Sequence, residues 1–307
     1  MAGLSALVPL DGTELSESAL SLLPFLKSLG FERARLVSVW QGVWEESEAA
    51  DRQPELSEAG ERGRSYLTSY VTQRADAVRA GGFEVEEDVR MGRAGPEVLA
   101  AAHGMDLTLI ATHGRSGVSR WWLGSVTDQV VREADSPVLV IGPNVTVDLE
   151  SYSIHRILVP LDGSELAEQA LQPAAWVASR SGAEVDLVRC MTLTAVAYDP
   201  ATAVYSADLV GVMRDAVNAY LETAAAKLPG VSVHKQVLIG GPGQLLLEYL
   251  EQRPAQLVIM TSHGRSGLKR AALGSVTDRM LHGAAPVLVL RIGESQRSRL
   301  MESLSGP

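Results

Sequence analysis

Apolar and polar positions alternate along this chain in two rhythms. Short apolar runs read as strands, and segments in which Leu, Val or Ala return at helical spacing read as helices. In the first half, Ser5–Pro9 is strand-like, and Ser16 to Leu29 carries Leu20, Leu23, Leu26 and Leu29 on one helical face before the Gly30 stop. Arg35–Trp40 is a second strand, and Ser57 to Ala80 is a longer helical stretch closed by Gly81-Gly82. Phe83–Val89 alternates as a strand, and Pro96 to Ala102 is helical with proline in its first turn. Leu107–Ala111 is a short buried strand, Ser125 to Ala134 is a helix with Ser125 near its N-cap, and Val138–Ile141 is the last strand.

The same order then repeats. Leu7-Val8-Pro9-Leu10-Asp11-Gly12-Thr13-Glu14-Leu15 returns as Leu158 to Leu166, with serine at Ser164 in place of Thr13. His113-Gly114-Arg115-Ser116-Gly117, Arg120 and Leu123 to Asp128 return as His263 to Gly267, Arg270 and Leu273 to Asp278, and Pro137-Val138-Leu139-Val140 returns as Pro286 to Val289. An offset of about 150 residues is far longer than the roughly 20–50 residues of a solenoid unit, so a whole domain is duplicated. The reading is a first domain over residues 1–143, a linker over 144–153 that starts in Gly142-Pro143-Asn144, a second domain over 154–292 and a polar tail over 293–307.

Strands alternating with helices imply a parallel sheet covered on both faces. The expected architecture is α/β, two tandem doubly wound, Rossmann-like five-stranded parallel sheets of strand order 3-2-1-4-5. Ligands of such sheets bind beyond the carboxyl ends of the strands, where the order reverses. In this order that crevice lies between strands 1 and 4. Strand 1 delivers Asp11 or Asp162 there, and strand 4 delivers the loops Ala111 to Gly124 or Thr261 to Gly274.

Those loops suit an anion. Gly114, Gly117 and Gly124 let backbone N–H groups approach a ligand, and Gly124-Ser125-Val126 opens a helix whose N-terminus favours phosphate. Arg115, Arg120, Arg265, Lys269 and Arg270 add local positive charge, and Asp11 and Asp162 offer acceptors to ribose hydroxyls. The competing reading gives each aspartate only the capping of its own turn. His113 and His263 lack a partner at ligand spacing and read as structural hydrogen-bonding groups. Trp121 and Trp122, alanines in the second copy, read as packing residues, and Cys190 as a small apolar filler on a buried strand.

Taken with these motifs, the chain resembles the universal stress protein family in its tandem two-domain form. ATP-binding members of that family carry Gly, two residues, Gly, nine residues and then Gly-Ser or Gly-Thr. Gly114 with Gly124-Ser125 and Gly264 with Gly274-Ser275 match, while Ala111 and Thr261 stand at the opening glycine. The resemblance maps the family's strand 1 aspartate onto Asp11 and Asp162, and its adenine-contacting residue onto Val39 and Cys190. It implies a cytoplasmic stress-response regulator that binds ATP or another adenine nucleotide, with or without magnesium, and hydrolyses it little or not at all. The implied site residues are Pro9, Asp11, Val39, Ala111, Gly114, Arg115, Gly124, Ser125 and Val126. In the second half they are Pro160, Asp162, Cys190, Thr261, Gly264, Arg265, Gly274, Ser275 and Val276. It also implies association through the last strand of each domain, within one molecule or between two. A slow ATPase or phosphotransferase, and a protein-interaction module with degenerate pockets, are the alternatives.

Composition narrows this picture further. The chain of 307 residues has a formal net charge of −10, which argues against a nucleic-acid partner. Residues 1–150 carry 13 basic and 23 acidic side chains, whereas residues 151–307 carry 14 of each. One cysteine excludes an intrachain disulfide and a Cys-based zinc site, no apolar run is long enough to span a membrane, and no signal-peptide pattern opens the chain. Walker and nucleophile-elbow motifs are absent as well.

Overall fold

A computed structural model describes residues 3–41, 58–112, 123–149, 151–192, 198–199, 204–205, 207–262 and 273–290. The first half runs β1 (Leu4–Pro9), α1 (Glu14–Ser18), a 3-10 turn (Ala19–Leu22), α2 (Leu23–Ser28), β2 (Phe31–Trp40) and α3 (Glu58–Ala80). It continues through β3 (Glu84–Met91), α4 (Ala94–Ala102), β4 (Leu107–Ala111), α5 (Ser125–Glu133) and β5 (Val138–Ile141). The second half repeats the plan as β6 (Arg156–Leu161), α6 (Glu165–Glu168), α7 (Leu171–Ser181) and β7 (Glu184–Met191). A short antiparallel hairpin follows, β8 (Tyr198–Asp199) with β9 (Val204–Tyr205). Then come α8 (Ala207–Ala225), β10 (Val233–Ile239), α9 (Pro242–Gln252), β11 (Leu257–Thr261), α10 (Ser275–Met280) and β12 (Val287–Leu290).

Two of these elements differ from the pattern read in the sequence. The single helix expected over Ser16 to Leu29 is broken into α1, the 3-10 turn and α2. Pro24 has no N–H to give the Leu20 carbonyl, so it sits in the first turn of a new helix. The second half breaks in the same place, between α6 and α7, with Pro173 in the first turn of α7. The hairpin of β8 and β9 has no counterpart among the described residues of the first half.

All the strands but the hairpin join one ten-stranded sheet, in the order β10-β7-β6-β11-β12-β5-β4-β1-β2-β3. Each half therefore has the order 3-2-1-4-5, parallel throughout. The halves meet where β12 pairs antiparallel with β5, in the register Val287 with Val140, Leu288 with Leu139 and Val289 with Val138. β5 lies between β4 and β12, and β12 between β11 and β5, so both strands have each edge paired.

Side chains at this seam alternate between the two faces of the sheet. Leu139, Ile141, Leu288 and Leu290 enter a core shared with α2, α3, α7 and α8. Val138, Val140, Val287 and Val289 enter the core on the other face, shared with α4, α5 and α9. Both cores thus cross the seam without interruption. The connecting chain is packed down as well. Val145, Leu149 and Tyr152 pack against the first of these cores, and the Tyr152 ring meets Phe25 of α2 edge-on at 5.2 Å between centroids.

One buried charge fixes α9 on the sheet. Asp186 in β7 is fully buried and accepts hydrogen bonds from Tyr249 Oη at 2.8 Å and Arg253 Nε at 2.7 Å. Arg156 Nε lies 3.8 Å from the same carboxylate. The counterpart of Asp186 in the first half is Arg35, which pairs with Glu86 at 2.8 Å and donates to the Ala101 carbonyl of α4. The duplicated scaffold has thus kept a strand-to-helix tie while reversing the sign of its charge.

Two stability predictions follow from the seam and from this tie. Leu139→Ala removes a buried side chain and is expected to cost about 2–5 kcal/mol in urea unfolding. Combined with Leu288→Ala it should fall short of additivity by about 0.5 kcal/mol or more, while strict additivity would mean that the two leucines are not in contact. Arg253→Met removes the closest cationic partner of the buried Asp186 carboxylate, leaving Tyr249 and the more distant Arg156, and is expected to cost about 3 kcal/mol, measured in the same way.

Candidate functional site

The turn after the first strand is built identically in both halves. Asp11 Oδ1 accepts from the Thr13 N–H at 3.0 Å and from Thr13 Oγ1 at 2.6 Å. Asp162 Oδ1 accepts from the Ser164 N–H at 2.9 Å and from Ser164 Oγ at 2.6 Å. Thr13 and Ser164 in turn cap α1 and α6. Gly12 and Gly163 between them have φ of +83° and +86°, a conformation that a Cβ disfavours, which is why each motif reads Asp-Gly. The capping role of these aspartates is therefore real. It uses one carboxylate oxygen for both bonds and holds the side chain in a fixed direction at the carboxyl end of the sheet.

The end of the fourth strand is also fastened. Gly124 N–H donates to Thr112 Oγ1 at 3.0 Å, and Gly274 N–H donates to the Ser262 carbonyl at 3.1 Å. These glycines are the N-caps of α5 and α10, with φ of −56° and −63°. Any residue adopts such a φ, so the backbone conformation does not by itself call for glycine at either helix start. Thr277 in the first turn of α10 points its hydroxyl back at the end of β11, donating to the Thr261 carbonyl at 3.2 Å.

In the second half these pieces enclose a cavity of about 330 Å³. Pro160, Leu161 and Asp162 border it from the end of β6, and Val188, Cys190 and Thr192 from β7 and the residue after it. Met260 and Thr261 close it from β11, Gly274 to Thr277 from the start of α10, and Pro242 and Leu246 from α9. It sits between β6 and β11, where the strand order reverses. Cys190 is half-buried, and burial pushes its thiol up to about 11.

Seven of the residues singled out in the second half therefore line one cavity: Pro160, Asp162, Cys190, Thr261, Gly274, Ser275 and Val276. Gly264 and Arg265 lie outside the described residues, as do His263, Lys269 and Arg270. In the first half, β1 again lies between β2 and β4, so Pro9, Asp11, Val39, Ala111, Gly124, Ser125 and Val126 occupy the matching strand ends and helix start. Gly114, Arg115, His113, Gly117, Arg120, Trp121 and Trp122 lie outside the described residues.

The pattern of the sequence did not point to several wall residues. Leu246 and Pro242 come from a helix distant in the chain, and Met260 and Val188 are core-like residues that happen to end at the cavity. Thr277 did carry a signal, because it lies inside the repeated Gly-Ser-Val-Thr-Asp stretch.

The two halves differ in their third strand. Cys190 lies beside Leu238 in the β7–β10 register, and both pack into the same apolar core. Val39 lies beside Arg90 in the β2–β3 register. Arg90 pairs with Asp88 at 2.8 Å and with Glu97 of α4 at 3.6 Å. The outer strand is thus apolar beside Cys190 and charged beside Val39.

Comparison with known proteins agrees with this architecture. The model of the universal stress protein family matches residues 5–142 and again residues 153–291. The chain is 30% identical over 253 residues to universal stress protein Rv2005c of Mycobacterium tuberculosis, covering 81% of this chain and 79% of that one. A universal stress protein structure from Archaeoglobus fulgidus has the same fold, with a TM-score of 0.67 at 20% identity over 94% of this chain and 97% of that one. A structure described as a putative universal stress protein from Pseudomonas aeruginosa gives 0.65 at 15% identity over 99% of each chain. No helix among the described residues is long and apolar enough to cross a membrane. With both halves matched in sequence and the same strand order in each, the chain belongs to the universal stress protein family as two Usp domains in tandem.

Proposed function

We propose that this protein is a stress-response regulator that binds one adenine nucleotide, ATP or AMP, in the cavity of its second domain. The cavity itself carries the reading. Its volume of about 330 Å³ falls within the roughly 300–1,000 Å³ of small-ligand sites, and it combines an apolar wall with a few convergent polar groups. Val188, Cys190 and Leu246 suit the flat apolar faces of a purine. Asp162, held in place by Ser164, offers carboxylate oxygens to ribose hydroxyls. Gly274 and Ser275 leave room and a hydroxyl for the phosphate end, which magnesium would accompany in a triphosphate.

The chemistry favours binding over turnover. Asp162 is the carboxylate that lines the cavity, and one of its oxygens already accepts two hydrogen bonds from Ser164. A carboxylate so engaged serves as an acceptor more readily than as a proton-abstracting base. In this reading the nucleotide belongs to the second domain, whose strand ends and helix start line the cavity.

Native mass spectrometry with added ATP or AMP is expected to show one nucleotide per chain. Binding should disappear in Gly274→Trp and persist in Gly124→Trp. Loss in Gly124→Trp alone, or no adenine nucleotide on the wild-type protein, would overturn the reading. Cys190 supplies a second check because it is the single cysteine. With its thiol raised to about 11, the thiolate fraction at pH 8 is only about one in a thousand, so iodoacetamide should label it slowly and faster as pH rises. Saturating nucleotide is expected to slow that labelling at least severalfold, and equal rates with and without nucleotide would place the ligand elsewhere.

A further inference from the structure

The chain that leaves the first domain grips the second domain at the far end of the helix that opens on the cavity. Gly142 follows β5 directly and lies so close to the Leu281 carbonyl that a Cβ would sit 2.1 Å from its oxygen. Asn144 Nδ2 donates to the His282 carbonyl at 2.9 Å. The Thr146 N–H donates to the Ala284 carbonyl at 3.0 Å. Leu281, His282 and Ala284 come immediately after α10, whose own first residues, Ser275, Val276 and Thr277, line the cavity.

The helix between these two contacts is short. α10 has six residues, against nine in α5, its counterpart in the first half. It spans only about 9 Å, and a helix of this length has little stability of its own, so neighbouring contacts set its position. Thr277 ties its start to β11, and the connecting chain ties its end to the seam. Met280 and Leu281 are buried in the core as well, so the connecting chain is one of the contacts that set where this short helix sits.

We infer that Gly142, Asn144 and Thr146 form a positioning clasp for the second-domain site: the connecting chain fixes α10 for nucleotide binding, and bound nucleotide tightens the clasp in return. This inference rests on the proposed nucleotide site. The return effect follows from linkage, because a contact that raises ligand affinity is itself stabilised by the ligand to the same degree. None of the three residues lines the cavity. The clasp gives the first domain a route to the occupancy of the second without sharing a ligand.

The test uses the full-length protein, ATP titration calorimetry and hydrogen exchange. Asn144→Ala is expected to weaken ATP binding roughly two- to fivefold while keeping the wild-type unfolding midpoint within a few degrees. Gly142→Ala, which must push the Leu281 carbonyl away, is expected to weaken it about tenfold; if that variant fails to fold, Asn144→Ala decides alone. In the wild type, exchange of the Thr146 amide should slow by a similar factor when ATP is saturating. Both readouts must move. Unchanged affinity in Asn144→Ala, or Thr146 exchange indifferent to ATP, overturns the clasp while leaving the nucleotide site intact. Absence of ATP binding to the wild type overturns the site and the clasp together.

Discussion

The antiparallel pairing of β5 with β12 is the constraint from which the rest of this molecule follows. A five-stranded half on its own would present a short, wholly apolar edge strand, Val138–Ile141 or Val287–Leu290, which is a template for uncontrolled pairing. Joining the two edges removes both hazards at once and makes both cores continuous across the molecule. The direction of the pairing matters as much as its existence. β4 runs with β5 and β11 runs with β12, so the carboxyl ends of the two halves point toward opposite margins of the sheet. The two crevices cannot face one another. The contacts that join one half to the other run through the seam and the chain that continues from it.

Much of this was legible in the residues. The repeated Val-Pro-Leu-Asp-Gly and Gly-Ser-Val-Thr-Asp stretches located both ends of the crevice, because the chemistry there is local: an aspartate caps the turn it begins, and a glycine caps the helix it precedes. Alternating strands and helices point to a parallel sheet, but the order 3-2-1-4-5 had to be assumed, because which strands become neighbours is decided by long-range pairing. What was hidden is non-local or depends on one atom. Pro24 breaks a helix whose leucine spacing looks continuous, because a missing N–H leaves no mark on hydrophobic periodicity. The connecting chain has no periodic pattern, yet Val145, Leu149 and Tyr152 are held down by a core assembled from both halves. Leu246 and Met260 became cavity walls only because the fold ends them there.

Duplication also shows which features the scaffold requires and which it allows to drift. The Asp-Gly turns, their hydroxyl caps and the glycine helix starts are the same in both copies, although Thr13 and Ser164 differ by a methyl group. The tie between the second strand and the following helix pair survives with its charges reversed, Asp186 accepting from Tyr249 and Arg253 where Arg35 donates to Ala101. A buried charge must be answered, but its sign is free as long as the partners change with it.

The outer edges of the sheet show the same drift. β3 and β10 are the two outer edges of the sheet, and each must discourage pairing with another chain. β3 does so with Glu84, Glu86, Glu87, Asp88 and Arg90, whereas β10 carries only His234 and Lys235 as charged or titratable groups. The charges of β3 are answered inside their own domain. Arg90 stands beside Val39, and its guanidinium is committed to Asp88 and Glu97. The edge richer in charge is thus balanced by pairs within its own domain, whereas the more apolar β10 sets Leu238 beside Cys190 and packs both into the core below, so the two copies satisfy one edge constraint by different chemistry.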